Sequence, residues 1–473
     1  MTKPNVHLES GISVFDRCHD LAVETLCRNI KPWKDGLLDE PAPSIMAGQT
    51  YKSPWTRDCA FNVWNAAALL TPEAARNTLI STLIEDDGLV RIGGQYWDAI
   101  AWTTGAWHYY CVTGDHEFLE LAHAATVNSL RYFEETELDP EMGLFQGPAS
   151  YGDGVAAYPE PYNDAGGSSG ILDWPAAHPE VGKIRMKALS TNCLYANAYW
   201  IADLMGRRLG LDAQVNESLR TQGDAVGGAI NRHLWLPEKG CYAYFTDPTG
   251  RCEQYMEGLG HAFAILFGIA SPEQARAVLD NQYVAPYGIP CVWPVFPWFA
   301  SPDGMTFGRH NGTVWPFIQG FWASAAAMHG RLDLFDKELT ALADMADRHR
   351  EFKEIYHPIT GEPYGGLQVD RGKVRLWAGE PHQTWSATGY LRMIYYDLFG
   401  MRFQPDELCF QPTVPPRFET LQLTGVKYRD MTLDVTIRNS GTRIASFALD
   451  GQPHEPVIPA TLDGQHRIVM NMR

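Results

Sequence analysis

Four stretches of this 473-residue chain set carboxylates and imidazoles among aromatic rings and glycines: "SPWTRDCAF" (53–61), "GLFQGPASYGDGVAAYPEPYND" (143–164), "GRHNGTVWPFIQGFW" (308–322), and a late pair, "EIYHPITGEPYGG" (354–366) with "HQTWSATGYLRM" (382–393). In the late loop Pro358, Gly361, Pro363, Gly365 and Gly366 supply the dihedrals a tight turn requires, so Glu354, Tyr356 and Tyr364 are surplus to it. A carboxylate fixed by a rigid loop can give or take a proton at a defined place. Aromatic faces suit the C–H faces of sugars. Each group also has a plain structural use. Arg57 and Asp58 can pair at a helix start, Asp153 can set a glycine turn, His310 can be a structural histidine, and tryptophans can be core.

The elements that must hold these loops are helices. Apolar periodicity marks twelve, near 12–30, 59–71, 72–84, 98–112, 116–134, 188–209, 211–234, 257–268, 271–280, 312–329, 332–348 and 382–398. "TPEAARNTL" and "SPEQARAVL" carry a capping hydroxyl, Pro at the first helical position and an acid next, and Asp115 leads a third helix. Twelve helices in consecutive antiparallel pairs form an all-α (α/α)6 toroid of six hairpins, with long loops at 135–187, 281–311 and 349–381. After Gly400 the texture changes to period-two alternation between turn residues. The chain therefore divides into a helical catalytic domain, 1–400, and a small antiparallel β module, 401–473.

Bulk properties narrow the chemistry. A net charge of −18 repels phosphate backbones and anionic membranes, which excludes nucleic acid and membrane partners. Nine scattered cysteines without a CxxC pair fit a reducing compartment, and neither a signal-peptide h-region nor a membrane span is present, so a cytoplasmic protein is expected. No P-loop, GxSxG or metal-ligand spacing occurs, so the expected chemistry uses no metal and no cofactor. An aromatic content of 12%, with 15 Trp and 21 Tyr, supplies rigid apolar faces with polar tips that suit stacking on a small-molecule carbohydrate, and many of these rings also serve as core.

The four stretches, in order and over about 70% of the chain, resemble the six-hairpin glycosidases, most closely glycoside hydrolase family 63. The resemblance implies that Asp58, with Arg57, grips sugar hydroxyls, that Asp153 is the general acid and that Glu354 is the general base of an inverting hydrolysis, acting on α-linked glucose or a related hexose in a small soluble glycoside. The sequence departs from the family after Asp153, where "GVAAYP" stands, leaving Glu160 and Asp164 as rivals for the acid. His357 replaces an Asn, and an inserted "LQVDRGKVRLWAGEP" brings Glu380 in as a rival base. Trp55, Trp97, Trp315 and Trp385 are expected to line the mouth, with His310 and Asn311 on sugar hydroxyls and Tyr151, Tyr356 and His382 beside them. Two other readings stand. A phosphorylase on the same toroid would replace the base by phosphate, and "GVKYRDMTLDVTI" looks like the tail of such enzymes; a carbohydrate-binding protein would have lost a catalytic carboxylate.

Overall fold

The computed structural model describes residues 3–473. Among them are twelve α-helices of seven residues or more: α1 (Ser13–Arg28), α2 (Thr56–Asn62), α3 (Pro72–Ser81), α4 (Ala101–Thr113), α5 (His116–Thr136), α6 (Leu189–Arg208), α7 (Ala213–His233), α8 (Gly258–Leu266), α9 (Pro272–Asn281), α10 (Pro316–Met328), α11 (Leu332–His349) and α12 (Thr384–Arg392). α2 and α12 continue through widened π turns, Val63–Ala67 and Met393–Leu398.

The even-numbered helices contact one another in a closed cycle, α2 to α4 and onward to α12, which returns to α2. The odd-numbered helices lie against them. Sequence decides which is which. α10, "PFIQGFWASAAAM", is buried from Pro316 to Ala327, so it needs neighbours all round; α11 buries only a stripe including Phe335, Leu339, Leu342 and Ala346. Small residues permit the close inner contacts: a Cβ on Gly320 would stand 2.8 Å from the Gly389 carbonyl oxygen, and one on Gly105 2.8 Å from the Ala60 backbone. Of the expected caps, Ser271 makes a full capping box with Gln274 and Asp115 accepts from the Phe118 N–H. Thr71 makes no side-chain cap, because its hydroxyl turns back to the Ala67 carbonyl.

Six strands form one sheet: β1 (His7–Glu9), β2 (Thr420–Tyr428), β3 (Met431–Arg438), β4 (Ile444–Leu449), β5 (Gln452–Pro453) and β6 (Gly464–Met472), in the order β1-β2-β3-β6-β4-β5. Two features differ from a purely antiparallel C-terminal module. β1 comes from the N-terminal segment and pairs His7 with Thr424. β3 and β6 run parallel, from Met431 opposite Gly464 to Arg438 opposite Asn471, because the chain passes through β4 and β5 before returning. The insertion after the late glycines is also structured. Leu367–Asp370 and Lys373–Leu376 pair as a hairpin whose turn residues, Arg371 and Gly372, have φ of 52° and 72°. No helix is long and apolar enough to cross a membrane among the described residues, and all nine cysteines are unpaired.

Candidate active site

Arg57 and Asp58 lie in the first turn of α2, and Asp98 just precedes α4. Asp153 lies between α5 and α6, Arg309 and His310 just before α10, and Glu354 between α11 and α12. Each lies at or before the start of an inner helix, so the N-terminal ends of the ring gather them at one mouth. Arg57 is the hub. Its Nη1 donates to Asp98 Oδ2 and its Nη2 to Asp153 Oδ2, both at 2.7 Å, and its Nε stands 3.8 Å from Asp58. Gln95 Oε1 accepts from the same Nη1. The next two links come from consecutive residues. His310 Nε2 lies 3.5 Å from Asp153 Oδ1, and Arg309 Nη2 donates to Glu354 Oε2 at 2.7 Å.

Glu354 is 3% exposed, and its Oε2 also accepts the Glu380 N–H at 3.0 Å. Its Oε1 makes no hydrogen bond among the described residues. One oxygen is anchored and the other is open, the arrangement a base holding a water molecule requires. Glu380 itself is committed elsewhere: Oε1 accepts from the Thr50 N–H at 2.7 Å and from its hydroxyl at 2.6 Å. It therefore braces Glu354 from behind.

The carboxyls differ in charge preference. Burial, only partly offset by Arg57 and reinforced by the charges of Glu354 and Asp153, pushes Asp58 up to about 7. Against burial, which raises it, Arg57 holds the Asp153 carboxyl below its usual range, although 32% of that side chain reaches solvent. Asp98 is raised to about 6, again by burial against Arg57. His310 is driven down to about 3 by burial and is neutral near pH 7.

Several expected residues lie elsewhere. Glu160 and Asp164 are exposed on their loop, Asp164 Oδ1 accepts the Gly166 N–H of a turn, and neither pairs with Arg57, whose carboxylate partners are Asp58, Asp98 and Asp153. Asn311 is bound to backbone: its Oδ1 accepts from Phe296 N–H at 2.7 Å and its amide donates to the Pro294 carbonyl at 3.1 Å. Tyr151 donates to the Cys291 carbonyl, and Tyr356 accepts the Lys353 N–H; both are buried. His382 turns outward to Arg28 and Glu351. Of the four tryptophans expected at the mouth, Trp55 is 38% exposed and Trp97, Trp315 and Trp385 are buried. Trp315 stacks on His310 at 4.9 Å and donates to the Arg309 carbonyl, and Trp385 stacks on Phe317 at 4.1 Å, so these rings hold the loops from beneath.

The sequence did not single out Asp98, Arg309 or Tyr51. Burial, reinforced by the charges of Glu354 and Asp58, raises the Tyr51 hydroxyl. Asp98 stands in "QYWDAI", where nothing local marks it as the partner of Arg57. The hairpin also reaches the centre: Gln368 Oε1 accepts the Ala156 N–H, and Arg309 lies 5.9 Å from the Trp377 ring. A pocket of about 510 Å³, lined by Trp33, Trp55, Gln95 and Asp98, opens beside Arg57.

Residues 51–386 match the family described as mannosylglycerate hydrolase MGH1-like glycoside hydrolase domain. The chain belongs to this family. Residues 401–465 match the C-terminal domain of glycosyl hydrolase family 65. Solved structures extend the likeness of fold. A family 63 mannosylglycerate hydrolase from Thermus thermophilus, in complex with glucose, aligns over 80% of this chain and 100% of its own at 17% identity and TM-score 0.59. A sialidase structure aligns over 96% of this chain at 14% identity and TM-score 0.69, and the chain spans 40% of its length. A neutral/alkaline invertase 1, mitochondrial, of Oryza sativa subsp. japonica is 24% identical over 170 residues, 33% of this chain and 25% of the invertase. Family membership makes the protein a glycoside hydrolase relative, and the match spans all the carboxylates at the mouth.

The raised Asp58 carboxyl has a stability consequence. Its folded pKa, about 7, exceeds the ordinary Asp value, so the folded state binds the extra proton and the charged form opposes folding as pH rises from about 4 to 7. Asp58→Asn removes that burden. The variant should gain stability over wild type at pH 8, on the order of 1–4 kcal/mol, and much less at pH 4. Urea midpoints at the two pH values check this; a gain independent of pH would contradict it.

Proposed function

We propose that the helix ring is an (α/α)6 toroid, residues 1–400 with 401–473 as an accessory β module, and that it hydrolyses a small soluble α-linked hexoside with inversion. The observation that carries the reading is the link between two carboxylates from distant loops: consecutive Arg309 and His310 meet Glu354 and Asp153, and Arg57 ties Asp153 to Asp58 and Asp98. In this reading Glu354 deprotonates a water molecule with its free Oε1, Asp153 protonates the leaving oxygen, and Asp58 with Arg57 holds the sugar hydroxyls. No metal or cofactor takes part.

Arg57 keeps Asp153 ionised in the free protein. Protonation of Asp153 then accompanies binding, when a ligand group competes for Arg57. A carboxylate on the leaving group would compete best. The Thermus thermophilus relative has been solved with Tris and D-glycerate, and we take a hexose joined to a small hydroxy acid as the first substrate class. A second reading makes Asp58 the acid, because its carboxyl, pushed up to about 7, carries a proton near neutrality.

Mannosylglycerate, glucosylglycerate, common disaccharides and nitrophenyl hexosides, each with and without inorganic phosphate, test the reaction class. Free hexose released at a rate indifferent to phosphate is the expected result. A hexose 1-phosphate formed only when phosphate is present would make the protein a phosphorylase, and no turnover of any hexoside would overturn the reading.

A further inference from the structure

The far end of the helix ring holds a second cavity, of about 340 Å³, within the range of small-molecule sites. All six inner helices reach it from their C-terminal halves, including Trp64 of the turn that continues α2, Ser324 of α10 and Arg392 of α12. Trp107, Trp200, Phe267 and Tyr396 complete an aromatic wall. Arg392 is 3% exposed and forms no ion pair among the described residues. Its Nε donates to Ser324 Oγ at 2.8 Å and its Nη1 to Asn65 Oδ1 at 3.3 Å, while Nη2 makes no hydrogen bond among them. The ring faces of Trp64 and Phe321 lie 4.3 and 4.7 Å from its guanidinium carbon.

The nearest carboxylate does not balance this charge. Asp397 reaches Arg392 only through Ser324, whose hydroxyl donates to Asp397 Oδ2 at 2.6 Å, and it also faces Arg402 at 3.4 Å. Two guanidiniums therefore share one buried carboxylate. A buried charge only half balanced is costly, and burial, partly offset by Asp397, lowers Arg392 to about 10. Helix C-termini favour a cation at this end, which accounts for an arginine being tolerated there. They do not supply an acceptor to Nη2. Both π turns lie here, carrying Trp64 and Asn65 on one and Tyr396 on the other, and such widened turns concentrate at functional sites.

We propose that this cavity binds a small organic anion with a flat apolar body, its carboxylate on Arg392 and its body against the aromatic wall. A neutral sugar would fill the space without answering the charge. The site is independent of the glycosidase reading and lies at the opposite end of the ring from Asp153 and Glu354.

Calorimetric titration of the whole protein with benzoate, and with benzamide as its uncharged twin, tests the site. Benzoate should bind saturably and at least tenfold more tightly than benzamide. Arg392→Met should erase that preference. Should that variant not fold, Leu204→Trp, at a cavity-lining position that is 43% exposed, should block entry and weaken benzoate at least tenfold without changing any hexoside turnover. Absence of saturable benzoate binding, equal binding of the two probes, or benzoate binding untouched by Leu204→Trp would each overturn the proposal.

Discussion

Replacing Glu354 by Gln should lower turnover of a hexoside by about 10²–10⁴-fold, the usual contribution of general-base catalysis, while substrate affinity changes only a few-fold. The substitution is nearly isosteric. Gln can keep its carbonyl oxygen on Arg309 Nη2 and the Glu380 N–H, where Glu354 Oε2 now accepts. Its amide nitrogen then occupies the place of the open Oε1, where it donates a hydrogen bond and cannot take a proton from water. Arg309, the loop and the neighbouring Asp58 stay in place, so binding persists. Full turnover in Glu354→Gln would remove Glu354 from the mechanism and reopen the case for Glu380, whose carboxylate is now held by Thr50. Loss of affinity in step with turnover would instead mean that Glu354 serves binding.

Asp153→Asn should cost a similar factor, about 10²–10⁴, on substrates whose leaving group is an alkoxide, and less than tenfold on a dinitrophenyl hexoside. The difference follows from what an acid supplies. An alkoxide needs its proton as the bond breaks; dinitrophenolate leaves without one. The Asn carbonyl can retain the Arg57 hydrogen bond, so the hub of the site survives the change. The same pair of substrates separates the two candidate acids. If the dependence on leaving group appears in Asp58→Asn and is absent from Asp153→Asn, the proton comes from the carboxyl that burial raises to about 7.

Local signals make the helices legible in the sequence. α10 and α11 can be told apart by composition alone, since one is apolar all round and the other striped. The Ser271 cap is equally legible, because a capping box is written within four residues. What is not legible depends on distance in the chain. Asp98 becomes a partner of Arg57 only when the segment before α4 meets the first turn of α2, and nothing in "QYWDAI" announces it. The hairpin at Leu367–Leu376 reads as loop, since its strands have four residues each, neither buries alternate positions, and Lys373–Leu376 is exposed throughout. Trp97, Trp315 and Trp385 illustrate a different limit: a tryptophan beside a functional loop can touch the ligand or support the loop, and sequence does not distinguish them. The π turns are invisible because one extra residue in a helical turn leaves apolar periodicity almost unchanged.

The most direct test of hydrolysis by an acid and a base is the configuration of the first sugar released. Proton NMR of an α-linked hexoside, recorded in the first moments after wild-type protein is added and before mutarotation, should show the β-anomer ahead of the α-anomer. That order requires water to attack the face opposite the leaving group, with carboxyls about 6.5–9.5 Å apart. The α-anomer appearing first would contradict it, and would make one of the carboxylates a nucleophile about 5 Å from its partner.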